Sequence, residues 1–318
     1  MAVTLEQAKL NVQDDLQLGV IDEFRKSTWL FDNLIFDDVV SATGGGATLT
    51  YAYTRLKTQP TAGFRNVNEE YTTSEVEKQR FTADLKIFGG GFKVDRVIAN
   101  MGGIADEVAL QMAQKIKAAG SLFNDTVING DSAVDSKSFD GLEKALKGSS
   151  TEYKPAAAID LSTSEAVTKN FQAFLDALDE FLMTLDGKPS FIGGNTKLIA
   201  KLRACARRAG MYQVTKDSFG NQVESYGGIP FVDFGTKPGT NDDVVKTDIA
   251  SGETSLYAAR IGLDGFHGIS MAGQPPVKTW LPDFETAGAV KEGEVEMIAA
   301  VALKATKAAG VMRKIKVK

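Results

Sequence analysis

Two glycine triplets enclose a long polar segment near the start of the chain, at residues 44–46 and 89–91. Just inside them, residues 48–56 and 81–88 alternate apolar and polar side chains with a period of two, which predicts two strands. The stretch between the strands is polar and contains acids at residues 66–78, so we expect a solvated tip. The segment is therefore predicted to be a projecting β-hairpin that is hinged at its glycine-rich root.

Each predicted arm of this hairpin carries an apolar face. A nine-residue strand spans roughly 30 Å, and an isolated two-stranded ribbon is at best marginally stable in water. We therefore expect the faces to contact another chain; the alternative is an ordinary hairpin that covers this chain's own sheet. The residues predicted to make the inter-subunit contacts, hinges included, are Gly45, Tyr51, Tyr53, Phe64, Arg65, Glu69, Glu70 and Gly90.

The length and charge of the chain restrict its class. With 318 residues, 43% of them hydrophobic, it can bury a large core as one large domain or two packed subdomains. Its 36 basic and 41 acidic residues are scattered along the chain, which argues against a surface built to grip phosphates. A single cysteine excludes an intrachain disulfide. Because the sequence has no signal-peptide pattern and no apolar run of membrane-spanning length, we expect the protein to be made in the cytosol.

The strongest helical pattern follows the hairpin. It begins at Ile104 and is expected to end at the turn-forming residues 129–131. Acids lie near its start and lysines farther along, as the helix dipole favours. The apolar positions that define the first part of this predicted spine helix are Ile104, Val108, Met112 and Ile116.

Shorter elements are predicted on both sides of the hairpin and spine helix. Before the hairpin we expect a helix over residues 20–27 and then an extended segment. After the spine helix, the apolar spacing predicts a helix over residues 164–185, and another follows the Gly-Gly-Asn turn at residues 193–195. Short strands alternate with turns from there to a C-terminal strand with one solvated face. Helices and strands in separate runs indicate an α+β fold.

The residues that could support catalysis are few. One histidine, His267, and one cysteine, Cys205, supply neither a histidine-rich metal site nor a Cys-His couple unless they meet in space, and Cys205 lies on an apolar helix face. The glycines at 193–194 have the wrong spacing for a phosphate-binding loop, so we interpret them as a tight strand-to-helix turn. We therefore expect no enzyme, no cofactor and no metal. The competing hypothesis of a soluble enzyme places a pocket near His267 or Gly193.

The order of these parts resembles the major capsid proteins of tailed bacteriophages, whose fold is also seen in encapsulin shells and in the floor domain of herpesvirus capsids. The resemblance covers about residue 20 to the C-terminus. Its motifs are the glycine-bracketed hairpin, the spine helix running into residues 123–131, the Phe-Asp-Gly-Leu at residues 139–142, the Tyr-Gly-Gly-Ile-Pro-Phe-Val at residues 226–232, and residues 294–304.

The resemblance implies a division into four parts. These are an N-terminal arm (1–40), an extended loop (41–97), a peripheral domain with the spine helix (98–150 and 275–305), and an axial domain (151–274 and 306–318). In that family the extended loop lies across a neighbouring subunit and the axial domains meet around fivefold and sixfold axes. Glycine hinges would let one sequence present the loop at different angles in pentamers and hexamers.

The function that the resemblance implies is that of a structural shell protein in an icosahedral phage head enclosing double-stranded DNA. The alternative is an encapsulin-like compartment. The expected partners are further copies of the chain, a portal and a decoration protein; the short stretch before the arm predicts a separate scaffolding protein or none. We expect the protein in the virion, assembled in the host cytoplasm, with no membrane contact. We predict no isopeptide crosslink, because no pattern around the loop lysines Lys57, Lys78 and Lys86 supports one.

Overall fold

The computed structural model describes residues 29–41, 48–100, 107–211, 213–216 and 222–318. The fold is α+β, as expected, with two main sheets and a separate two-stranded hairpin. The helices are α1 (Trp29–Asn33), α2 (Arg96–Ala99), α3 (Glu107–Asn129), α4 (Leu142–Leu146), α5 (Ser164–Met183) and α6 (Thr196–Arg208), with a 3₁₀ turn at Thr306–Ala308. The strands are β1 (Phe36–Val40), β2 (Thr50–Leu56), β3 (Lys78–Asp84), β4 (Lys86–Asp95), β5 (Glu152–Tyr153), β6 (Ile159–Asp160), β7 (Phe191–Gly194), β8 (Gln213–Lys216), β9 (Gln222–Tyr226), β10 (Ile229–Asp233), β11 (Glu253–Ala259), β12 (Phe266–Met271), β13 (Val277–Trp280), β14 (Val290–Leu303) and β15 (Ala309–Lys316).

A five-stranded sheet is built around the long strand β14. This strand pairs with β12, β13 and β4, and β1 lies parallel to β12 on its far side. The antiparallel ladder between β4 and β14 extends over ten residue pairs. Helix α3 packs on this sheet, where Met112 and Ala119 share a buried cluster with Phe92 and Met297.

An eight-stranded sheet carries the second layer of helices. Its strand order is β5-β15-β11-β7-β10-β9-β8, and β6 also pairs with β15. Helices α5 and α6 pack against it through buried residues such as Phe174, Leu202 and Ile315. The C-terminal strand has the expected alternation at its end, where Ile315 and Val317 are buried and Lys316 is partly exposed. A continuous apolar core joins the two sheets, because Phe123 and Phe191 belong to the same buried cluster.

Local chemistry explains where the two later helices begin. The Thr163 hydroxyl accepts a hydrogen bond from the Ala166 amide at the start of α5. The Asn195 side chain accepts one from the Leu198 amide at the start of α6. Both caps satisfy amides that have no partner inside the helix. The sequence therefore predicted both helix starts correctly.

Helix α3 is the predicted spine helix and ends at Asn129, as expected. Of its predicted apolar positions, Ile104 lies outside the described residues, Met112 is buried, Val108 is half-buried and Ile116 is 40% exposed. The chain turns at Gly130, where an added Cβ would lie 2.2 Å from the Phe139 carbonyl oxygen. Glycine at this position therefore permits a close approach of two backbones.

The second glycine triplet requires a correction. Gly89 to Gly91 lie inside β4 and pair with residues 294–296 of β14, so Gly90 is part of a ladder and not a hinge. The need for glycine is clear at Gly89, where an added Cβ would lie 1.9 Å from the Val295 carbonyl oxygen. The first triplet, with Gly45, lies outside the described residues, as do the predicted helix over residues 20–27 and the rest of the chain before Trp29.

The segment before the hairpin also differs from expectation. Residues 29–33 were expected to be extended but form helix α1. The Leu30 amide donates to the side chain of Asn124, 94 residues away, and the ring of Trp29 packs edge-on against Phe191. These distant partners fix the short helix, and local periodicity does not encode them.

The expected domain limits stay a prediction. One strand of the expected axial part lies in the five-stranded sheet and not in the eight-stranded one. Strand β12 pairs with β14 in the five-stranded sheet, although the expected axial part extends to residue 274. A membrane-spanning helix is not found in the part of the chain that the structure describes, since no helix there has both the necessary length and hydropathy.

Candidate assembly surface

The end of the extended loop is the most exposed apolar region of the described chain. Residues 57–77, here called the distal loop, join β2 to β3, and every one of them is exposed. Large apolar side chains that face solvent are candidates for an interaction surface where they lie together, because soluble proteins rarely expose contiguous apolar patches. The exposed large apolar residues in or beside the distal loop are Leu56, Phe64, Val67, Tyr71 and Val76.

The distal loop has its own polar contacts but little packing. The Lys57 amide donates to the Glu77 carbonyl at 2.7 Å, and the Thr61 amide donates to the Ser74 hydroxyl at 2.9 Å. Near the tip, the Arg65 guanidinium lies 5.1 Å from the centre of the Tyr71 ring. These contacts hold the two sides of the loop together without burying its apolar side chains.

Strands β2 and β3 form the base of the hairpin, which is here called the hairpin root. Hydrogen bonds attach this root to the body of its own subunit. The Tyr53 hydroxyl donates to the Leu303 carbonyl at 3.0 Å. The Arg55 guanidinium donates to the carbonyls of Leu303 and Lys304, the latter at 2.8 Å, and stacks over the Phe81 ring at 4.2 Å. Arginine satisfies several backbone acceptors at once here because its planar fork carries five donors.

The structure divides the predicted contact residues into two groups. Tyr51 and Tyr53 bond to their own chain, Tyr51 through a 3.1 Å hydrogen bond to Asp37. The other described loop residues of the prediction, Phe64, Arg65, Glu69 and Glu70, lie in the exposed distal loop. The expectation that both arms find their partners on another chain therefore applies only beyond the root, where an inter-subunit role stays a prediction.

A cleft beneath the hairpin root joins the loop to the body of the subunit. It is lined by Tyr53, Arg55 and Phe81 from the root and by residues near Lys144 and Leu303 from the body. Lys144 is paired with Asp131 at 2.7 Å and with Asp140 at 2.8 Å. The cleft is therefore lined by packed side chains and paired charges. Among the described residues, no cluster of side chains could hold a metal ion.

His267 lies beneath the hairpin root and is completely buried. Its Nε2 is 3.9 Å from a carboxylate oxygen of Asp37, and the Tyr51 ring packs edge-on against it. Burial, followed by the charge of Lys304, lowers the pKa of His267 below its ordinary value of 6.5. The imidazole is thus a neutral packing element. No sequence pattern indicated that Asp37 and Lys304 would flank it.

The other candidate catalytic groups also have structural roles. Cys205 is buried on α6, and burial raises the pKa of its thiol to about 11, which keeps it protonated. Gly193 lies in buried strand β7, where an added Cβ would meet the Phe234 ring at 2.2 Å. The Asn195 amide group donates to the Val245 carbonyl at 3.1 Å. This region is the tight strand-to-helix turn that the sequence predicted.

Comparison with solved structures identifies the fold. The chain is similar to the subunit of the holo-SrpI encapsulin complex from Synechococcus elongatus, with a TM-score of 0.64 and 16% identity over 100% of this chain and 98% of that one. It is similar to the capsid of Myoviridae phage XM1, with a TM-score of 0.62 and 10% identity over 99% of both chains. A structure from Mycobacterium phage Bobi gives a TM-score of 0.61 and 12% identity over 98% of both chains.

These similarities extend over essentially the whole chain, so the complete fold is that of the phage capsid and encapsulin subunits. The resemblance inferred from the order of sequence motifs is confirmed at the level of fold. No protein-family model matches the sequence. No curated protein matches it either.

Proposed function

We propose that this chain is the shell-forming subunit of an icosahedral phage head, which assembles as pentamers and hexamers around double-stranded DNA. The observation that carries the proposal is the division of the extended loop into an anchored root and an exposed apolar end. At this exposed end, Phe64 is fully exposed on its own subunit and is available to a neighbouring one. The shared capsid fold supports the same conclusion.

Energetics favour an external partner for the distal loop. Burying one large apolar side chain stabilises a contact by about 1.5–3 kcal/mol. A neighbouring subunit that buries the exposed side chains of Phe64, Val67 and Tyr71 would gain this free energy several times over. Arg65, Glu69 and Glu70 supply charges around them, as in an interface with an apolar centre and a polar rim.

The anchored root makes this contact effective. Because Arg55 and Tyr53 hold the base of the hairpin on its own subunit, the distal loop is presented at a restricted position. Preorganisation of this kind lowers the entropy cost of association. In a shell, the distal loop of each subunit would contact one neighbour, and the same subunit would be contacted by the distal loop of another.

The net charge of -5 fits a container for nucleic acid. A shell that does not bind the phosphate backbone tightly leaves packed DNA free to move. In this proposal the chain has no catalytic role, and its partners are further copies, a portal, a decoration protein, and either a separate scaffolding protein or none. The shell forms in the host cytoplasm and remains in the virion.

An encapsulin-like compartment is the second candidate function. It is favoured by one observation, the TM-score of 0.64 to the encapsulin subunit, which is as high as the 0.62 to the phage capsid. The two candidates share the same loop contact. They differ in content, which is DNA in one and protein cargo in the other.

Expression of the chain followed by size-exclusion chromatography and negative-stain microscopy tests the shell proposal. We expect closed particles in the megadalton range. A stable monomer or dimer, under conditions that include a co-expressed scaffold, would contradict it. Nuclease-protected DNA in particles from the native source supports the phage head, and a co-purifying enzyme in nucleic-acid-free particles supports the compartment.

A further inference from the structure

The two helices on the eight-stranded sheet carry opposite charges. Helix α6 has five basic residues and no acidic one. The second half of α5 has three acidic residues and no basic one. We call Asp176, Asp179 and Glu180 the acidic end of this helix pair, and Arg207 and Arg208 its basic end.

The two ends lie far apart on the subunit because the helices are antiparallel. A guanidinium nitrogen of Arg208 donates to the Ser164 hydroxyl at 3.1 Å, and the Lys201 ammonium donates to the Ser162 carbonyl at 2.6 Å. The end of α6 therefore lies beside the start of α5. From Ser164 to Asp179 the helix rises about 20 Å, which exceeds the screening length of about 8 Å at physiological salt.

Among the described residues, the partners of the acidic end are neutral. Glu180 accepts a hydrogen bond from the Tyr153 hydroxyl, and Asp179 accepts one from the Tyr226 hydroxyl. Among the described residues, no ammonium or guanidinium group forms an ion pair with Asp176, Asp179 or Glu180. All three carboxylates are on exposed residues.

The position of these acids opposes the helix dipole. The C-terminal end of a helix carries a partial negative charge, which disfavours nearby carboxylates. Asp179 and Glu180 lie in the last two turns of α5, whose final turn has no basic residue. The helix dipole therefore disfavours these carboxylates in the isolated subunit, whereas cations from outside would offset both the carboxylates and the dipole.

The basic end has the complementary properties. Arg203 is paired with Glu224, but Arg207 makes no ion pair with any described residue and is exposed. On the same end of the helix pair, Glu165 and Lys169 are exposed and of opposite charge, so they leave the positive sign of the basic end unchanged.

Each end also exposes a methionine. Met183 at the acidic end is 86% exposed, and Met211, just after the basic end, is 53% exposed. A flexible apolar side chain beside unpaired charges is suited to a protein contact. Two separate patches on one molecule thus match each other in charge and in apolar character.

We propose that the basic end of one subunit docks on the acidic end of the next copy of this chain, in the ring contacts of the shell. The inference rests on the proposed function. It adds which surfaces form the ring contact and that the subunits follow one another head to tail. Because the two patches differ, the contact is head-to-tail, which generates closed rings when the rotation closes. Charge complementarity of this type fixes partner and register.

Charge reversal tests this contact. Arg207→Glu and Asp176→Lys change side chains that have no bonded partner among the described residues, so each variant is expected to keep the wild-type thermal midpoint. Each is expected to lower the yield of closed particles at least about tenfold, because like charges then face each other in every ring contact. The double variant Asp176→Lys/Arg207→Glu restores opposite charges across the contact and is expected to recover most of the yield.

Two variants control for the change in net charge. Lys246→Glu matches Arg207→Glu, and Glu285→Lys matches Asp176→Lys; both positions are exposed and lie outside the two ends. We expect wild-type particle yields from both. Circular dichroism and thermal unfolding of the dissociated subunits verify that all five variants are folded.

The outcomes separate the inference from the proposed function. Shells from the wild type and from both single reversals would overturn the ring contact alone. A double variant no better than the single reversals would overturn it as well. Absence of shells from the wild type would contradict the proposed function, and the ring contact would fall with it.

Discussion

The Arg55 guanidinium lies 4.2 Å from the centre of the Phe81 ring, on the opposite strand of the hairpin, while the same side chain donates to the Lys304 carbonyl at 2.8 Å. One side chain thus joins both strands of the hairpin root to the body of the subunit. The distal loop beyond it lacks any such attachment. The proposed assembly of the shell through the distal loop depends on this contrast.

Loss of the root anchor is expected to destabilise the subunit. In Arg55→Met, the carbonyl oxygens of Leu303 and Lys304 lose their charged donor. Unfolding free energy should fall by about 1.5–3 kcal/mol, the range for hydrogen bonds to charged groups. Urea denaturation of the dissociated subunit measures this change.

The matched control for the anchor is Lys57→Met in the exposed Lys57–Glu77 pair. An exposed pair contributes about 0–1 kcal/mol. If the two variants were equally stable, the root would not be held by Arg55.

The second glycine triplet gives a prediction that separates close approach from hinge motion. Gly89→Ala forces a Cβ against the Val295 carbonyl, and overpacking of this kind costs about 1–3 kcal/mol. Gly90→Ala meets only the Lys115 side chain, at 3.5 Å, and should change stability little. Thermal unfolding compares the two. Wild-type stability in Gly89→Ala, with assembly lost, would instead support a hinge.

The strands around this triplet illustrate what the sequence could and could not predict. Period-two alternation correctly indicated extended chain over residues 81–88. It did not reveal that the chain leaves β3 at Asp84 and enters β4 at Lys86, where its partner changes from β2 to β14. Leu85 is consequently buried and Ile87 exposed, although the alternation placed both on one face. Alternation reports local geometry, whereas the choice of partner strand is a property of the whole fold.

The candidate surface was predictable to a similar degree. The polar composition of the tip predicted the exposed distal loop with Phe64 and Arg65. The anchoring of Tyr51 by Asp37 and of Tyr53 by Leu303 was not predictable, because the Leu303 carbonyl lies 250 residues from Tyr53 in sequence. The two complementary helix ends were not predicted from the sequence, because their separation depends on the antiparallel packing of α5 and α6.

Protonation of Glu152 in acid should lower the free energy of unfolding of the subunit. Burial works to raise the pKa of this carboxyl, but Lys154, the Gly148 amide and Arg313 outweigh it and lower the pKa from 4.5 to about 2. Because the folded pKa lies below the unfolded one, the stabilisation is present above pH 4.5 and is lost as the pH falls toward 2. A shift of this size corresponds to roughly 3 kcal/mol.

Glu152→Gln tests this assignment. Urea denaturation at pH 7 and at pH 3 should give a larger loss of stability for the wild type than for the variant. The same loss in both proteins would show that Glu152 does not carry the acid sensitivity.

The exposed apolar tip should matter for assembly and not for folding. Phe64→Ala is expected to leave the unfolding free energy within about 0.5 kcal/mol of wild type, since surface positions rarely exceed that, and to reduce particle yield strongly. Ile249→Ala, which truncates another highly exposed apolar side chain outside the loop, is the control and should assemble normally. Light scattering during assembly distinguishes the two, and equal yields would remove Phe64 from the contact.

In the proposed shell, the distal loop contacts a neighbouring subunit. Negative-stain imaging of the wild type beside a variant that lacks residues 58–73 tests this contact, with thermal unfolding to verify that the variant is folded. We expect closed shells from the wild type, and folded subunits without closed shells from the variant. Closed shells from the variant would show that the distal loop is not required for the contact between subunits.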